Sequence, residues 1–206
     1  MQSIVKRRLV TDLLDNKGLY LLLVFFLVVG ITAGTFTVNN MQDGSKDALD
    51  SYTGQLFLSV KTSPVDFTSV FFHALLQDTL LFGTITLFSL MILGIPAITL
   101  ILVFKGFCVG FTVGVLALNL GAGGLLAIVF CTFLPNLVLI PCLLKAGVVG
   151  IGNAVDVFKM RRIPKTTADK LVMSRPLLVK MLIIFTVSLL GVLIQALLTP
   201  ALMQTL

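Results

Sequence analysis

The residues able to do chemistry are few and far apart in this chain. There is one histidine, His73, with no cysteine or carboxylate at ligand spacing. It falls among Asp66, Ser69 and Gln77 on the polar side of a helical pattern, where a solvated histidine is expected. Cys108, Cys131 and Cys142 lie inside apolar runs with no CxxC spacing and no neighbouring histidine, and so read as small packed hydrophobes rather than as a disulfide or metal ligands. Glutamate is absent altogether. No HExxH zinc helix, no GxSxG elbow and no phosphate-cradling glycine loop is present. The sequence predicts no catalytic residue, no metal site and no cofactor.

Three other patterns stand out. In the ten residues KGFCVGFTVG, positions 105–114, Gly106, Gly110 and Gly114 recur every fourth residue and share one helix face; losing side chains there lets another helix approach closely. Gly30 and Gly34 repeat the spacing, as do Ala146, Gly150 and Ala154. Intramolecular packing and a partner interface are both open readings. In LPNLVLIP, positions 134–141, Pro135 and Pro141 flank the polar Asn136 and predict a broken helix, tolerated at membrane depth only if buried in protein or lining a cavity. Lys105 and Lys145 read as anchors whose stems snorkel to an interface; lipid phosphate or a partner's acid is the alternative.

The elements that must carry these residues follow from composition. Of 206 residues, 57% are hydrophobic and 12% charged, and mean hydropathy is +1.09, far from the usage of water-soluble domains. A bilayer core about 30 Å thick takes roughly 20 apolar residues per helical crossing. The long, uniformly apolar runs exclude the ~10-residue alternating strands of a membrane barrel. The expected fold is one all-α, polytopic membrane domain, 1–206, with about five transmembrane helices, one or more broken by proline. Spans are expected at 18–38, 79–104, 106–120, 125–144 and 181–198, the chain turning near Lys105. The first run is longer than the ~7–15 apolar residues of a signal peptide, so it reads as an uncleaved span.

Between the first two spans lies a polar loop, 39–78. Its last part carries Phe67, Val70, Phe71, Ala74 and Leu75 at helical spacing, predicting an interfacial helix. The face presented by Phe67, Phe71 and Leu75 suits lipid or a partner. A basic loop is expected at 145–180. With five spans, thirteen Lys and Arg fall on one side and two, Lys46 and Lys61, on the other. The positive-inside rule then predicts a cytoplasmic N-terminus and an extracytoplasmic C-terminus in a bacterial cell membrane.

The motifs LGIP (93–96), KGFCVGFTVG and LPNLVLIP, in this order and spacing, resemble the stage II sporulation protein M family of endospore-forming bacteria. The resemblance covers roughly residues 79–157. It implies a non-enzymatic membrane scaffold of forespore engulfment, sited in the septal or engulfing mother-cell membrane. It also implies partnership with the peptidoglycan hydrolases called stage II sporulation proteins D and P, a lytic transglycosylase and an amidase. Membrane lipid is a further expected partner and homo-oligomers are possible; nucleic acid is not expected despite the net charge of +6. A competing class is a small-solute channel or transporter, suggested by the proline-broken fourth span.

Overall fold

The computed structural model describes residues 16–42, 67–91, 93–127, 132–160 and 167–203, together with 44, 46, 48, 49, 51 and 55. Among them are five long helices and no strand: α1 (Lys17–Asn39), α2 (Phe67–Ser89), α3 (Gly94–Ala127), α4 (Leu134–Met160) and α5 (Thr167–Met203). Each contains a stretch long and apolar enough to cross a bilayer. The chain is a multi-pass helical membrane protein.

Helices form here because hydrocarbon offers the backbone no partner other than itself. Hydroxyl groups obey the same rule. Thr32, Thr35, Thr37, Thr79, Thr84, Thr86, Thr99, Thr112 and Thr186 each donate to a carbonyl three or four residues earlier in their own helix. A threonine thereby costs little at depth, because its donor is consumed locally.

Two expectations are corrected. The segment 67–78 is not a separate interfacial helix but the first half of α2, which runs on without a break to Ser89. Nor does the chain turn at Lys105: it turns between Ser89 and Gly94, and Lys105 lies inside α3. This turn is a tight hairpin in which Leu90, Met91 and Gly94 donate backbone N–H groups to Leu87, Phe88 and Met91. A methyl group on Gly94 would overlap the Phe88 carbonyl, so the turn needs glycine. Across the bundle, Asn153 Nδ2 donates to the Ser89 carbonyl at 2.9 Å, supplying a donor where α2 runs out of its own.

The fourth span also differs from the expected 125–144, since α4 begins at Leu134 and continues past Lys145 to Met160. The basic stretch 145–180 is accordingly helical on both sides, with only 161–166 between α4 and α5; that link, Cys131 and residues 56–66 lie outside the described residues.

The five helices alternate in direction. Gly30 packs at Val103, Gly34 at Phe107 and Val38 at Gly114, so α1 and α3 run parallel. Gly94 meets Ala154 and Gly150 meets Ile98, which makes α3 and α4 antiparallel. Gly191 meets Pro135 and Val138, while Leu177 and Lys180 share a groove with Val148, Gly152 and Asp156, which sets α5 antiparallel to α4. Helix α4 is the centre, touching all four others; half of its span is buried, against a third or less in each other helix. Leu139, Leu143, Ala146 and Ile151 of α4 meet Leu23, Ile85, Leu102 and Met181 from the surrounding helices. The outer surfaces of the spans, including Leu21, Phe25, Leu100, Phe104 and Leu182, are exposed and apolar, as a lipid-facing surface requires.

Candidate functional site

Every fourth residue of α3 faces inward: Gly94, Ile98, Leu102, Gly106, Gly110 and Gly114 are all buried. The last three form a seam with Gly30 and Gly34. A methyl group on Gly30 would overlap the Val103 carbonyl, and one on Gly34 that of Phe107; on Gly106 it would meet the Leu27 carbonyl and on Gly110 the Ile31 carbonyl. Backbone therefore lies on backbone. The Thr35 hydroxyl reaches the Gly110 carbonyl at 3.2 Å, a bond between helices. Along this seam the glycine faces are covered by the chain's own helices.

The prolines of α4 are split in role. Pro135 is buried in the first turn, where a missing N–H costs nothing. A short π turn at residues 132–133 precedes it, and Asn136 Nδ2 donates to the Thr132 carbonyl at 2.7 Å. Pro141 is exposed and inside the helix, and α4 runs through it. The irregular backbone is therefore at the start of α4 rather than between the two prolines.

Phe67 stacks on Phe71 with ring centres 6.0 Å apart, at the opening of α2. Phe67 is exposed, while Phe71 and Leu75 are half-buried. Lys145 is half-buried and lines a groove of about 500 Å³ with Tyr20, Asp156 and Lys180, at the end of the bundle where Lys17 and Lys159 also lie. Cys108 is half-buried and Cys142 buried, both as free thiols.

The feature that sequence reasoning missed is a charged pair inside the bundle. Asp78, assigned above to an aqueous loop, is 6% exposed and lies on the inner stripe of α2 with Ala74, Phe82, Ile85 and Ser89. Lys105 faces it from α3 and Ser188 from α5. The Ser188 hydroxyl donates to the Phe185 carbonyl at 2.8 Å, and Asp78 Oδ2 has no hydrogen-bond partner. Asp78 and Lys105 line a cleft of about 170 Å³ between α2, α3, α4 and α5, whose wall also carries Thr112, Thr132, Asn136 and Gln195. Both charges sit about 16 Å along their helices at 1.5 Å per residue, near the middle of the apolar layer. The sole signal in the sequence was each charge interrupting an apolar run.

Among the described residues, no group of three His, Cys, Asp or Glu side chains could hold a metal ion. No curated protein and no solved structure matches the chain significantly. The family model described as Stage II sporulation protein M matches residues 22–200, so the match takes in most of α1 and α5, the whole of α2, α3 and α4, the glycine seam, the charged cleft and the proline start of α4. The chain belongs to the stage II sporulation protein M family.

Proposed function

We propose that this protein is a non-enzymatic membrane scaffold that anchors and localises peptidoglycan hydrolases, stage II sporulation proteins D and P, during engulfment of the forespore. Family membership, which carries the proposal, gives a membrane role in engulfment. The interior supports the scaffold reading. Its contacts are glycine seams and aliphatic packing, and the cleft at Asp78 brings an acid and a base together.

The orientation proposed is N-terminus in the cytoplasm and C-terminus outside, in the septal or engulfing mother-cell membrane. With Lys105 withdrawn into the bundle, the positive-inside comparison is twelve basic residues against Lys46 and Lys61, still a strong bias. Residues 40–66 then form the largest segment outside, on the side where wall hydrolases work. Phe67 and Phe71, at the point where this segment enters the bilayer, are the proposed partner face.

Affinity purification of the tagged protein from sporulating membranes tests the proposal: the D and P proteins are expected in the eluate in near-stoichiometric amounts. Their absence, with the bait intact, overturns the scaffold reading. Soluble fragments released from peptidoglycan by the purified protein alone would overturn the non-enzymatic part. The buried Asp78 and Lys105 favour a second reading, a small-solute transporter, because ionisable groups at mid-membrane commonly mark solute pathways. Absence of flux across a broad solute panel in proteoliposomes eliminates it.

A further inference from the structure

We propose that the cleft ending at Asp78 and Lys105 is a binding site for a small zwitterion, a molecule carrying an ammonium and a carboxylate on one short frame, such as a free α-amino acid. The argument starts from cost. A carboxylate taken out of water is tolerated only when paired or hydrogen-bonded; Ser188 and the charge of Lys105 meet part of that need at Asp78, yet its buried Oδ2 has no hydrogen-bond partner. Lys105 lines the same cleft and attracts it, but makes no hydrogen bond to Oδ2. Two opposite charges lining one space, with one carboxylate oxygen still open, suit a ligand bearing the complementary pair.

Charge balance narrows the class. A lone cation drawn to Asp78 meets the repulsion of Lys105, and a lone anion drawn to Lys105 meets that of Asp78. A zwitterion inserted between them places its ammonium on the carboxylate and its carboxylate on the ammonium, leaving the site neutral. Size narrows it further: about 170 Å³ is well below the roughly 300–1,000 Å³ of sites for drug-sized ligands, yet it exceeds the share of about five water molecules. A ligand of a few non-hydrogen atoms fits.

The helix directions give the cleft an orientation. From Lys105, its α3 wall rises through Cys108 and Val109 to Thr112; its α5 wall rises from Gly191 to Gln195 and its α4 wall from Leu139 to Thr132. The charged pair thus lies at the end of the cleft nearer Lys17 and Lys159. The polar rim lies about 10 Å nearer the end of the bundle opposite Lys17 and Lys159, from seven residues at 1.5 Å each. Hydroxyl and carboxamide groups at that rim select among ligand side chains. The site does not depend on the scaffold reading, and binding is distinct from transport.

The test uses the full chain, purified and reconstituted in phosphatidylglycerol nanodiscs so that no zwitterionic headgroup competes. Isothermal titration is run with glycine and with both the L and D forms of alanine, serine and threonine. Saturable binding of at least one is expected, weakened at least tenfold when its amine is acetylated or its acid is methyl-esterified. Asp78→Asn and Lys105→Met are each expected to cause a similar loss. Failure of the folded wild-type protein to bind any of the panel overturns the proposal, as does equal binding of the blocked ligands. Unchanged affinity in both variants overturns it too. The blocked-ligand comparison keeps the test decisive if either variant fails to fold.

Discussion

Gly110→Ala adds one methyl group at the α1–α3 seam, and its cost can be worked from what that group would meet. Besides the Ile31 carbonyl oxygen, it would come within 2.7 Å of the Ile31 carbonyl carbon and 2.8 Å of its Cα. These are backbone atoms, so no rotamer change relieves the overlap and the two helices must part. Overpacking of this kind costs about 1–3 kcal/mol, and the Thr35–Gly110 hydrogen bond that is stretched with it is worth about 0.6 kcal/mol by the average for bonds between membrane helices. The matched control is Gly83→Ala, also inside a helix but with nothing within 4 Å of the new methyl. Both variants gain the same helix propensity, so their difference isolates the seam: about 1.6–3.6 kcal/mol, or roughly 14- to 370-fold in the unfolding equilibrium at 1.4 kcal/mol per tenfold. Equilibrium unfolding in mixed micelles of mild detergent and dodecyl sulfate measures it. If the two variants agree within about 0.5 kcal/mol, the overlap is relieved by a small helix shift and the backbone contact is not the source of stability. Gly110→Leu extends the series and is expected to lower protein abundance and partner recovery in sporulating cells.

Other tests address orientation, partners and the buried charges. After replacement of Cys108, Cys131 and Cys142, a single cysteine at Lys46 should react with an impermeant reagent on intact cells and one at Arg162 should not; the reverse pattern inverts the proposed orientation. Replacing Phe67 and Phe71 by serine should reduce recovery of the D and P proteins, and full recovery would move recognition elsewhere. Asp78→Asn and Lys105→Met should each destabilise the protein, while the double variant loses less than their sum by about 0.5–3 kcal/mol, the coupling of groups in one network. Additive losses would show that the two charges do not sense each other.

The first and last spans were legible in the sequence to within a few residues, 18–38 against Lys17–Asn39 and 181–198 against Pro176–Leu197, because each is a long apolar run bounded by charge. The middle of the chain was not. Hydropathy reads a charge as the end of a span, and that rule placed Asp78 in a loop and Lys105 in a turn. The rule fails when the opposing charge is on a neighbouring helix, which no local window contains. Mean hydropathy in the α2 span is 1.4, the lowest of the five, because it keeps His73, Gln77 and Asp78 within the crossing. The glycine spacing, by contrast, falls where α1 and α3 meet backbone to backbone, and fourfold repetition is a property of one helix alone. Which helix would fill each seam was a tertiary fact. The register of Gly30 and Gly34 against Gly106 and Gly110 became readable only once α2 had been seen to lie between them in the chain but not in the seam.

The parallel pairing of α1 with α3 bears on how the protein is made. Helix α1 has no extended contact with α2, which follows it, and its principal partner is α3. When α1 leaves the ribosome and enters the bilayer, the surface that will cover Gly30 and Gly34 has not been synthesised. At about 5–20 residues per second, the chain from Asn39 to Gly114 takes on the order of 4–15 seconds to appear. During that interval the first helix waits in lipid with its glycine face uncovered, open to a chaperone, to the insertion machinery or to the same helix of another nascent copy. The assembly step is therefore a competition for one groove, decided by the arrival of the third helix.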